Sequence, residues 1–146
     1  MQRHTYLLGV FALVLPLSLL SAQPARASET KLTSAVELRS GPGHDYPFVK
    51  RLAKGLSMEV HGCLNSWDWC DVTWRGARGW VPANTLEFQR EDQRLPVGRY
   101  GAALGVPEVT FSLGKYWDAY YNDTPWYADR DMWTQRSAVQ RTDAGF

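Results

Sequence analysis

The sequence predicts a mostly β protein, a small antiparallel barrel of about five to six strands with an aromatic-rich C-terminal extension containing short helices. Three observations lead there. Between residues 35 and 87, short runs alternate apolar and polar side chains, the period of a half-buried strand. Turn-forming residues punctuate those runs, and no helical period occurs among them. From residue 109 onward the composition changes, and tyrosine and tryptophan crowd together at helical spacing.

The chain of 146 residues opens with Arg3 and His4, followed by an apolar run from Tyr6 to Leu20 and then Ala25-Arg26-Ala27. This is the three-part layout of a secretory signal peptide, with cleavage expected after Ala27 (leader 1–27). The apolar run falls short of the roughly 20 residues a membrane-spanning helix needs. No stable membrane anchor is expected after cleavage, and the product is expected to be exported, periplasmic or secreted. Removing Arg3 and Arg26 from the 16 basic residues leaves 14 against 15 acidic ones. So even a balance gives no electrostatic case for nucleic acid or an anionic membrane surface.

The barrel is expected over residues 28–88. "AVELR" places Val36 and Leu38 on one side, and "SGPG" at 40–43 is a turn, since proline presets φ and glycine accepts positive φ. "FVKRL" follows, then a tight turn at Lys54-Gly55. "LSMEVHGC" puts Leu56, Met58 and Val60 on one face. "WCDVTW" puts Cys70, Val72 and Trp74 on one face and Trp69, Asp71 and Thr73 on the other. "RGAR" turns the chain, and "GWVPANTLEF" supplies the last strand and corner.

Those motifs resemble the bacterial SH3 family. The Arg39 to Gly43 turn, the Tyr46-Pro47 pair, the Lys54-Gly55 turn, Trp69 to Val72, and Gly79-Trp80-Val81 with Leu86 agree with that family in order and spacing. The resemblance covers roughly residues 30–88 and implies an SH3-like barrel. Gly41-Pro42-Gly43 precedes no helix and no Lys-Ser/Thr follows, so it is a barrel turn and not a phosphate loop. Arg39 reads as a structural donor to loop carbonyls, and His44 as an exposed residue with no nucleophile to serve.

Cys63 and Cys70 are the only thiols, and an even pair in an exported chain reads first as a disulfide. Asn65-Ser66 between them is a turn signal that folds two strands back on each other. So small a loop supports a stabilisation of about 2 to 3 kcal/mol or less. The alternative is a metal set of His44, His61, Cys63 and Cys70, but H-x-C-x6-C matches no compact zinc pattern. Neither a metal nor any other cofactor is expected.

Residues 89–107 form a linker, charged and then rich in Gly, Ala and Pro, and expected to be mostly irregular. In the extension, 108–146, Val109, Phe111 and Leu113 alternate as in a strand. Tyr116/Tyr120 and Trp117/Tyr121 are helical i,i+4 pairs. Thr124 with Pro125 marks the start of a second helix, on which Trp126 and Trp133 share a face. Residues 134–146 are polar and expected to fray. The tail has two readings. Its rings complete a core too small to stand alone, or Trp117, Tyr121, Trp126, Tyr127 and Trp133 form an exposed interface. The pattern also resembles the extension of small exported SH3-domain proteins of the YraI type.

For function, the resemblance implies a non-catalytic cell-envelope module recognising peptidoglycan peptides or envelope proteins through surface aromatics. The groove candidates are Tyr46, Trp67, Trp69 and Trp80, with polar help from Asp45 and Asp68, and Trp80 reads equally as a barrel anchor. A second hypothesis is a structural or assembly partner of another exported protein, with its interface on the tail. A remote third is an accessory part of a wall hydrolase. The tail holds no histidine or cysteine, is too short for a hydrolase domain, and no further histidine follows His61, so no enzyme is expected.

Overall fold

A computed structural model describes residues 29–90 and 92–143. The expected leader and its cleavage point at Ala27 lie outside the described residues. The chain is mostly β with an SH3-like fold, as expected. Among the described residues, eight strands form one antiparallel sheet: β1 (Glu29–Leu32), β2 (Val36–Arg39), β3 (Phe48–Leu52), β4 (Ser57–Cys63), β5 (Trp69–Trp74), β6 (Ala77–Pro82), β7 (Leu86–Arg90) and β8 (Gln93–Pro96). Their order across the sheet is β3-β2-β6-β5-β4-β1-β7-β8.

The alternation read from the sequence fills the core. Leu32, Leu38, Leu52, Met58, Val72, Val81 and Leu86 are buried together, and Val60, Leu56 and Trp74 pack partly buried against them. Cys63 and Cys70 face each other across β4 and β5 and are joined as a disulfide, fully buried. The turn at 40–43 returns the chain through Ser40 N–H to Pro47 O, 3.0 Å. Gly41 is needed there because the Tyr46 ring lies against its backbone, and a Cβ at residue 41 would come within 2.5 Å of Tyr46 Cδ1. Arg39 donates to Tyr46 O at 3.1 Å and pairs with Glu37, so it holds the turn as expected.

The segment 89–107 departs from the sequence reading. β8 pairs with β7 from Glu87↔Pro96 to Arg90↔Gln93, and α1 (Val97–Tyr100) follows directly. The signal was missed because β8 exposes polar side chains and is held by its backbone ladder, which leaves no apolar alternation to read. Val97 anchors the segment, fully buried in the barrel core, and Val106 packs partly buried against the same core.

The extension also differs in its parts. Residues 109–112 form no strand. Cys63 N–H donates to Pro107 O and Val109 N–H donates to Cys63 O, a single parallel bridge. Leu113 instead opens α2 (Leu113–Tyr120). A 3-10 turn follows at Pro125–Asp129, and α3 spans Arg130–Asp143, so residues 134–143 continue a helix where fraying was expected. Thr124 does precede a helical turn, but its hydroxyl donates back to Tyr121 O. Trp126 and Trp133 lie on separate elements, since the turn from Pro125 is of the 3-10 kind, yet both pack against Trp117.

Candidate functional site

Two of the four aromatic groove candidates are closed over by the chain's own tail. Trp80, on β6, is 1 % exposed. Phe111 meets it edge-on at 5.4 Å between ring centroids, and Tyr116 lies at 5.7 Å. Tyr46 is half-buried, edge-on to Phe111 at 5.5 Å and stacked with Trp133 at 5.6 Å. Trp80 therefore lines no open groove, and Tyr46 presents only part of its ring. Offset and edge-to-face pairs at these distances are the favourable aromatic geometries.

The tail is held by polar bonds as well as rings. Trp117 is fully buried, and its indole N–H donates to Ser40 O at 2.9 Å. Tyr121, 3 % exposed, donates its hydroxyl to Arg78 O at 2.6 Å. Tyr116 donates to Asp71 Oδ1 at 2.6 Å, and Asp71 also takes Arg78 Nη2 at 2.6 Å. Asp71 is 3 % exposed, so α2 seals an ion pair against the outer face of β5. Burial, with the Tyr121 and Asp71 oxygens adding to it, pushes the Tyr116 phenol far above its usual range. Burial, then the charge on Asp71, raises Tyr121 likewise. Burial alone would lower Arg78, but its bonds and charge attraction to Asp71 outweigh that and raise it. Trp117 and Tyr121 are thus core residues and not interface. Trp126, Tyr127 and Trp133 are half-buried around them, with Tyr127 donating to Asp118 at 2.6 Å.

Three of the remaining candidates, Trp67, Asp68 and Trp69, gather in one place. Trp67 and Asp68 stand in the β4–β5 turn and Trp69 begins β5. With His44, Asn84 and Arg99 they line a cleft of about 430 Å³. Trp69 points outward, as its place opposite Val72 requires, and is edge-on to His44 at 5.0 Å. Pro82, Pro96 and Gly98 complete the walls. Trp67 has φ 58°, a left-handed conformation that a residue with a Cβ adopts at a cost of about 1–2 kcal/mol. Its ring lies against Gly101 at the end of α1, where a Cβ would come within 2.1 Å of Trp67 Cζ3. Asp45 is exposed and belongs elsewhere, to a small cleft of about 180 Å³ beside Tyr46, Trp133 and Arg136.

A larger cleft, about 930 Å³, runs between barrel and tail along Pro42, Tyr46, Leu64, Phe111 and Leu113. Among the described residues lining it, Glu108 carries the only charge. Among the described residues, no group of three or more His, Cys, Asp or Glu side chains is arranged to hold a metal ion. No helix among them is long and apolar enough to cross a membrane.

A barrel with an open aromatic cleft on its flank is the architecture of a binding module. The family model of the bacterial SH3 domain matches residues 34–87, and the chain carries a bacterial SH3 domain over that span. Such domains are generally modules that bind proteins or cell wall. No curated protein and no solved structure matches the chain.

Proposed function

We propose that the chain is a non-catalytic module of the cell envelope, and that it holds peptide segments of peptidoglycan, or of an envelope protein, in the Trp67–Trp69 cleft. The observation that carries this reading is the split of the aromatic surface. The tail covers Tyr46 and Trp80, while Trp67 and Trp69 stay at the wall of a cleft that also holds His44, Asp68, Asn84 and Arg99. Indole faces there stack on flat amide or sugar surfaces, and the polar groups fix orientation. The leader-like N-terminus, with cleavage after Ala27, and the Cys63–Cys70 disulfide support export to the periplasm or beyond. The aromatic pattern of the tail supports a small exported SH3-domain protein of the YraI type.

Retention on purified peptidoglycan sacculi tests the reading. Trp69→Ala is expected to lower retention about tenfold or more, the ~1.4 kcal/mol or greater loss of a central aromatic contact. Met132→Ala, an exposed change on α3, is expected to leave it intact. Equal retention of wild type and Trp69→Ala removes the cleft as the site. The assembly reading is second: Trp117 and Tyr121 are consumed inside the fold, and among the described residues the large exposed apolar groups left on the tail are Tyr120 and Met132.

A further inference from the structure

The cleft has two walls of different origin. His44, Trp67, Asp68, Trp69, Pro82 and Asn84 come from within the SH3 match, whereas Pro96, Gly98 and Arg99 come from the β8–α1 segment beyond it. Arg99 lies over the Tyr100 ring at 5.3 Å and makes no ion pair among the described residues. Asp68, in the same cleft, makes none either. The two opposite charges line one space of about 430 Å³ without closing on each other. Elsewhere, Asp71 with Arg78, Glu37 with Arg39 and Arg51, and Asp118 with Arg130 neutralise one another directly.

Resting on the reading above, we propose that Arg99 makes this cleft selective for peptides bearing a free carboxylate, with Asp68 taking an ammonium or amide N–H of the same ligand. The planar guanidinium presents paired N–H donors that match a carboxylate in a two-point bond. Trp69 stacks on the intervening chain, and Asn84 is at hand for its amides. Selectivity by charge needs both signs placed apart, since a lone cation at a protein surface attracts any anion. The segment built onto the SH3 domain thus acts as the specificity wall, while the domain supplies the stacking wall.

Sacculi before and after conversion of their carboxylates to primary amides, with carbodiimide and ammonia, provide the probe. Wild type is expected to be retained about tenfold less by the amidated wall, a difference of ~1.4 kcal/mol. Arg99→Gln is expected to bind both walls alike, at the level wild type shows for the amidated one. Arg99→Lys is expected to keep part of the discrimination, and added salt to shrink it in the wild type. Arg99 is exposed, so each variant is expected to fold, which matching thermal melts would check. If wild type binds both walls equally while Trp69→Ala loses both, the carboxylate inference is overturned and the cleft stands. If Trp69→Ala is retained like wild type, or wild type is not retained at all, the cleft reading fails and takes this inference with it.

Discussion

Trp67 and Gly101 fit together as a side chain and the gap left for it. The indole is held in left-handed backbone and rests against Gly101, just past α1, where any larger residue would collide with it. Gly101→Ala is expected to push the ring off α1 and widen the cleft, costing about 1–3 kcal/mol of stability, the usual penalty of overpacking. Tryptophan fluorescence and denaturant titration read the shift, and sacculus retention is expected to fall with it. Unchanged emission and retention would show that the ring is not positioned by this contact. The outward face of Trp69 was legible in the sequence from strand alternation, whereas Trp67 and Asp68 were candidates by the family resemblance alone, and Trp67 packs partly against the core. Asp71 was not legible in the same way. Alternation assigned it correctly to the face of Trp69, but periodicity says which way a side chain points and not what later covers it. Tyr116, 45 residues on, covers Asp71 and leaves Trp69 open. Arg99 left no signal either, being one charge in a polar segment with no period.

Among the elements, α2 decides what the barrel shows to solvent. Its one fully buried ring, Trp117, bridges Ser40 on the barrel to Trp126 and Trp133 in the tail. Trp117→Ala is expected to cost about 3–5 kcal/mol, as for large aromatic truncations in cores. The loss is expected to release the tail before the barrel, so that a dye sensitive to exposed apolar surface binds while the strand signal in circular dichroism persists. A single transition with no dye-binding stage would instead make barrel and tail one cooperative unit. The helical pairs on α2 were legible because i,i+4 aromatics are a strong pattern. β8 was not, because a strand held by main-chain bonds to β7 needs no apolar face of its own. The supposed strand at 109–113 has the right alternation but only one bridge to pair with, and alternation without a neighbouring edge makes no sheet.

For the whole molecule, barrel and tail share one response to alkali. Tyr116 and Tyr121 hold their protons in the fold well above the ordinary tyrosine value near 10, because burial and the neighbouring carboxylate disfavour a phenolate. The unfolded chain releases those protons first, so it binds fewer protons than the native state above about pH 10. Stability from these two groups is therefore complete below about pH 10 and lost as pH rises beyond it. Denaturation midpoints are expected to fall steeply above pH 10 in the wild type and less steeply in Tyr116→Phe. Identical slopes would mean that the buried phenol does not set the alkaline limit.

Cys63 receives two kinds of closure. Its sulfur is bonded to Cys70, and its amide and carbonyl grip Pro107 and Val109, where the chain leaves the barrel for the tail. One residue thus ties the β4–β5 hairpin and the root of the tail to the same point, so the covalent staple and the main-chain clasp share an anchor.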